Sequence, residues 1–167
     1  VDARTGQAQV TFTIFEGNSD YGQLIITDGI NKPFLFNMTG TGGLASRTFF
    51  AEEVTVDGTT SPTVCVIHDS HLVVAGSPSA KNTIFYSNLL DPSDFSGSTG
   101  GAIVLPDQVV GIKSFRNDLM IFCRNSIHKL ININSSTNIA IVPVTQNVGC
   151  LSSHSIQEIG GDLVFLS

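Results

Sequence analysis

Residues 64–74 read Val64-Cys65-Val66-Ile67-His68-Asp69-Ser70-His71-Leu72-Val73-Val74. Two apolar runs flank a polar interruption whose central Asp69 and Ser70 tolerate the positive φ of a tight hairpin turn. The runs are short, rich in β-branched residues and bounded by turn formers, so they read as a pair of antiparallel strands rather than as helix. Apolarity in Leu72-Val73-Val74 is continuous rather than alternating. A strand of that kind is covered on both faces, which predicts an inner strand in sheets stacked face to face.

The same plan of polar turn, leucine and apolar run recurs on both sides. Leu24-Ile25-Ile26 follows Tyr21-Gly22-Gln23, Leu119-Met120-Ile121-Phe122 follows Arg116-Asn117-Asp118, and Leu163-Val164-Phe165-Leu166 follows Gly160-Gly161-Asp162. The leucines at 24, 72, 119 and 163 stand 48, 47 and 44 residues apart, near the roughly 40–50 residues of a four-stranded propeller blade. Upstream partners are expected at Val10–Ile14, Val64–Ile67, Val110–Phe115 and Ser155–Ile159. Third strands are expected at Phe34–Phe36, Thr83–Tyr86 and Ile127–Ile131, the last wetter than the others. Fourth strands are expected at Phe49–Val56, Ile103–Leu105 and Ile139–Val144, where Pro106 and Pro143 suit a sheet edge. Very little helix is expected, because no stretch of ten or more residues combines helical apolar spacing with caps.

The fold class is therefore all-β, a β-propeller-like array of antiparallel blades, with a β-sandwich as the alternative. Residues 1–167 form one such region. Three and a half units are fewer than the four to eight that close a propeller ring, and the chain begins at Val1 and ends on an apolar run. The expectation is an incomplete fragment of a larger propeller within a longer chain.

Composition narrows the function classes. Eight Lys+Arg against 14 Asp+Glu give a net charge of -6, which leaves no basic patch to hold nucleic acid by counterion release. DNA is compatible only as transient cargo in an acidic lumen. Charged residues make up 13% of the chain and mean hydropathy is positive, yet no apolar run reaches the roughly 18 residues of a membrane-spanning segment. Excess apolar surface then points to burial in an assembly. Cys65, Cys123 and Cys150 lie far apart, without a CxxC pair, and read as small buried hydrophobes.

No catalytic, cofactor-binding or metal-ligating residue is assigned. His68 and His71 straddle the hairpin turn and read as part of a polar turn rather than a zinc site. Asp91 and Asp94 lack the spacing of a calcium loop, and Pro92 marks a turn begun by Asp91. Thr41-Gly42-Gly43 and Gly97–Gly101 are glycine-rich but open no helix that would complete a phosphate cradle. Asn37 and Asn134 begin glycosylation sequons, a short pattern to which no role is given. No nucleophile elbow, phosphate loop or dinucleotide fingerprint is present, so the chain is read as a non-enzyme.

From Val64 onward the order of several elements carries a resemblance. These are Leu72-Val73-Val74-Ala75-Gly76, Tyr86-Ser87, Asp91-Pro92-Ser93-Asp94-Phe95, Leu119–Phe122, Gly149-Cys150, Ser155 and Asp162–Ser167. In this order they resemble the propeller-like part of tail nozzle and tail hub proteins of short-tailed bacteriophages; residues 1–63 match only in blade rhythm. The resemblance implies a structural virion component located in the tail and assembled in the bacterial host cytoplasm. It further implies a homo-oligomeric ring beside portal-adaptor and other tail proteins, forming the channel for genome ejection and needing no cofactor. Two other classes compete with this expectation: a ligand-binding propeller of a tail fibre or cell surface, recognising carbohydrate or a receptor through its loops, and a propeller hydrolase, for which no convergent carboxylates or nucleophile–base pair is readable.

Overall fold

A computed structural model describes residues 10–16, 22–39, 48–57 and 61–167. They form β-strands in successive up-and-down sheets, each hydrogen-bonded in chain order. Sheet 1 contains β1 (Thr11–Phe15), β2 (Gln23–Thr27), β3 (Phe34–Thr39) and β4 (Thr48–Glu53). Sheet 2 contains β5 (Val64–His68), β6 (His71–Ser77), β7 (Ala80–Tyr86) and β8 (Gly101–Val104). Sheet 3 contains β9 (Val109–Phe115), β10 (Asp118–Cys123), β11 (Ser126–Ile131) and β12 (Ala140–Gln146). A two-stranded hairpin, β13 (Gln157–Ile159) and β14 (Asp162–Val164), comes last. The only helical turn among the described residues is a 3-10 turn at Ser153–Ser155.

Register fixes which residues share a face, because directly paired residues point the same way and successive ones alternate. In sheet 2, Leu72 pairs with Ile67, and Cys65 with Val74 and then Phe85. These side chains meet Phe15, Ile25 and Leu35 of sheet 1 in one buried cluster. The alternate residues Val64, Val73, Ala75 and Ile84 meet Ile112, Leu119, Ile121 and Leu130 of sheet 3 in another. Sheet 2 is thus covered on both faces, an arrangement that the two layers of a sandwich do not provide. The main approaches between sheets bring β1 against β5, and β5 and β6 against β9, so first strands converge and the sheets fan out as blades do.

A polarity rule runs through the repeat. From Leu72 onward each repeat leucine faces the preceding sheet, and in sheets 1 to 3 the next residue faces the following one. Leu72 and Leu119 are fully buried against sheets 1 and 2, and Val73 is fully buried against sheet 3. Burial on this scale contributes about 1.5–3 kcal/mol per side chain. Leu163 lies against Phe122 and Ile127 of sheet 3, where Phe165 also stacks edge-on to Phe122 with ring centroids 5.1 Å apart.

Several expectations need correction. The leucine runs occupy the second position of each sheet, and the strands nearest the neighbouring sheets are mainly the upstream partners β1, β5 and β9. Continuous apolarity in these runs reflects hydrogen-bonded strands on both sides and packing on both faces. The segment expected as a strand from Ser155 is extended only over Gln157–Ile159, because Ser155 Oγ donates to Ser152 O at 2.7 Å and closes the 3-10 turn. The third strand of sheet 3 is not wet: Ile127, His128 and Leu130 are buried, since β12 pairs outside them and Leu130 packs toward sheet 2. Pro143 does lie on the edge strand, beside a register shift opposite Ile127 and His128.

Candidate functional site

The interface between sheets 2 and 3 carries a polar seam at one end. The hairpin turn falls at Asp69 and Ser70, both at positive φ (47° and 64°), as their residue types predict. His68 and His71 lie outside that turn, facing each other as the last pair of the ladder, and both are buried. The polar-turn reading of these two residues is therefore corrected. Their ring nitrogens satisfy themselves across the interface: His68 Nδ1 lies 2.9 Å from Ser114 Oγ, and His71 Nε2 lies 2.8 Å from Asn134 Oδ1. His71 Nδ1 also meets Ser87 O at 2.6 Å. At the equivalent place between sheets 1 and 2 stands the buried Phe15, so the seam is a polar replacement for an apolar plug.

A serine, an imidazole and a carboxylate do come together here, since Asp69 Oδ2 is 3.9 Å from His68 Nε2. That distance exceeds a hydrogen bond, and the Ser114–His68 pair spans two packed sheets. Burial lowers the His68 pKa, against the opposing pull of Asp69 and Asp118 and with a smaller lowering from His71. The neutral ring suits a position whose task is to satisfy a hydroxyl inside an interface.

The loop from Ser87 to Gly101 is organised rather than open. Asn88 donates to Asp94 Oδ2 at 2.6 Å and accepts from the Thr99 amide at 3.1 Å. Asp91 accepts from the amide and hydroxyl of Ser93, and Asp94 accepts from those of Ser96. The Ser96 amide first, and then its hydroxyl, hold the Asp94 carboxyl below its usual range. Both aspartates thus act as turn formers, the role their spacing predicts. Among the described residues no group of three or more His, Cys, Asp or Glu side chains is placed to hold a metal ion. Asn134 is engaged by His71, Asn37 lies within β3, and Thr41-Gly42-Gly43 lie outside the described residues.

All three cysteines are free and buried. Burial pushes Cys65 up to about 11, with the Thr27 hydroxyl opposing, and pushes Cys123 up to about 12, with Asp107 adding to the shift. They behave as the small hydrophobes that their spacing implied.

Apolar surface is exposed beside the terminal hairpin and on sheet 1. Sheet 3 is covered on its far side by Cys150, the 3-10 turn, Ile156 and the two-stranded hairpin, and a cleft of about 620 Å³ opens beside them. Met120, Phe122, Ile127, Pro143, Leu163 and Phe165 are among its walls, with the Lys129–Asp118 ion pair, 2.8 Å long, at its side. At the other end, Phe12 and Ile14 on the outward face of sheet 1 are 68% and 57% exposed. Leu24, Ile26, Phe34 and Phe36 share that face by register. The sequence signalled this surface, since Val10–Ile14 alternates cleanly, but an alternating strand shows one apolar face and not whether anything covers it.

No family model matches the chain, and neither a curated protein nor a solved structure matches it.

Proposed function

We propose that this chain is a structural, assembly-forming element of a short-tailed bacteriophage tail, in the nozzle or hub through which the genome leaves. The observation that carries the reading is the exposed apolar surface on an otherwise well-packed array, with Phe12 and Ile14 of sheet 1 68% and 57% exposed. A surface of that character is built to be covered by protein. The resemblance of residues 64–167 to the propeller-like part of nozzle and hub proteins supplies the setting, with portal-adaptor and other tail proteins as neighbours. The net charge of -6 suits a channel wall along which DNA passes without sticking. In this reading the polar seam and the cysteines maintain the blades. The test is peptide mass spectrometry and antibody labelling of purified virions: the reading expects the chain in the tail at ring stoichiometry, and its absence from virions would overturn it.

A second reading follows from the cleft beside β14, whose apolar walls and flanking ion pair match the usual make-up of a small-ligand site. It identifies the chain as a ligand-binding propeller of a fibre or cell surface. Thermal stabilisation by a glycan or apolar ligand, lost in Met120→Asp, would favour it over the channel reading.

A further inference from the structure

Between the outer strands of sheets 2 and 3, the β7–β8 and β11–β12 connections line a common pocket of about 430 Å³. Tyr86, Ile133 and Ile139 supply its apolar walls, and Ser98, Asn134 and Ser136 are among its polar ones. None of the described residues lining it is charged. Ile133 is buried, and Tyr86 and Ile139 pack partly against the core shared by sheets 2 and 3, so this wall is fixed. His71 holds the Tyr86 ring further by meeting it edge-on, with centroids 5.9 Å apart.

Both connections also keep their shape through their own hydrogen bonds. Asn88 donates to Asp94 and accepts from the Thr99 amide, while the Thr99 hydroxyl accepts from the Leu89 amide at 3.0 Å. In the other connection, the Ser135 carbonyl accepts from the Ile139 amide and the Ser135 hydroxyl from the Asn138 amide, each at 3.1 Å. The ordering that weakens many loop-built sites is thus already in place. Capacity for a ligand remains: the hydroxyls of Tyr86, Ser98 and Ser136 bond to no described residue, and His71 engages only one end of the Asn134 carboxamide.

We infer that this pocket binds a neutral sugar ring. A pyranose carries C–H surface on its faces and hydroxyls around its rim, which suits a phenol and two isoleucines set beside uncharged hydroxyl and amide groups. The volume falls within the roughly 300–1,000 Å³ of ordinary ligand sites. A phosphate or carboxylate would meet no cation on these walls, and the net charge of -6 would oppose its approach. A wholly apolar ligand would leave the hydroxyls and the amide without partners. The site is separate from the cleft beside β14, and the inference holds whatever the place of the chain in a virion.

Isoleucine-methyl NMR titration of the 167-residue chain with glucose, galactose and N-acetylglucosamine, each free and as a trisaccharide, tests it. At least one should shift the Ile133 and Ile139 methyl signals saturably, with a Kd of about 0.1–10 mM, the range open to about a dozen heavy atoms. Tighter binding of the trisaccharide assigns a glycan as the source, and equal binding assigns a single free sugar. The uronic acid of the sugar that binds should bind several-fold more weakly. Ser98 and Ser136 are exposed, so Ser98→Ala combined with Ser136→Ala should fold normally and weaken binding about tenfold. Tyr86→Phe keeps the ring and should weaken it as well. No saturable shift with any of these sugars, equal or tighter binding of the uronic acid, or unaltered affinity in both variants would overturn the inference. So would shifts at Ile127 in place of Ile133 and Ile139, because they would put the sugar in the cleft beside β14.

Discussion

The Nε2 atom of His71 lies 2.8 Å from the Oδ1 atom of Asn134, and this contact fastens the second sheet to the loop between the third and fourth strands of the next. His71 Nδ1 also faces the carbonyl of Ser87 at 2.6 Å, so both nitrogens of this buried ring have partners. Removing the carboxamide leaves a buried ring nitrogen unpartnered. Asn134→Ala should therefore cost about 1–3 kcal/mol in urea unfolding. An unchanged midpoint would mean that the seam contributes nothing to holding the sheets together.

Acid should loosen the same seam through His68. Its folded pKa lies below the ordinary 6.5, so the unfolded chain binds the proton more readily. Stability from this group is then fully present above about pH 6.5, falls as pH drops from there to the folded pKa, and is level below it. Denaturant midpoints measured across that window should decline, and His68→Gln should remove the part of the decline due to this residue. A decline of the same size in the variant would assign it to other groups.

The thiols should be silent in the native protein. With Cys65 near 11 and Cys123 near 12, almost no thiolate is present at neutral pH, and Cys150 is also buried. A thiol-reactive chromogenic disulfide should label none of the three quickly under native conditions and all three in denaturant. Rapid native labelling of any one would show that the packing around it opens.

Gly149 is a packing requirement. A Cβ there would collide with the carbonyl oxygen of Arg124 and its peptide carbon, which belong to the backbone and cannot rotate away. Gly149→Ala should destabilise by about 1–3 kcal/mol, the usual cost of overpacking. Thermal unfolding reads this directly, and a variant as stable as the parent would mean that the segment before Cys150 has room to shift.

Much of the fold was legible because the repeat states it several times. The leucines at 24, 72, 119 and 163, each behind a polar turn, locate the second strand of every unit. Turn chemistry at Asp69-Ser70 and Gly160-Gly161 is borne out by positive φ at all four residues. What could not be read was which side of a strand meets which sheet, because a continuous apolar run has no polar face to orient it. The two histidines were missed for a related reason. His68 and His71 sit next to turn residues, and local sequence cannot reveal that Ser114 and Asn134, 46 and 63 residues away, supply their partners. The exposed apolar side chains were legible only as an excess of hydrophobicity over charge, since a strand's pattern does not show what covers its face.

The central claim is that sheets follow one another with a fixed polarity, each repeat leucine facing the sheet before it. Methyl-resolved NOE spectroscopy on leucine- and valine-labelled protein tests it most directly. Leu72 methyl groups should show contacts to Phe15, Ile25 or Leu35 and none to sheet 3, while Leu119 methyl groups should show contacts to Val73 or Ala75 of sheet 2 and none to Leu163. Contacts from Leu72 to sheet 3, or from Leu119 to the terminal hairpin, would contradict the blade order.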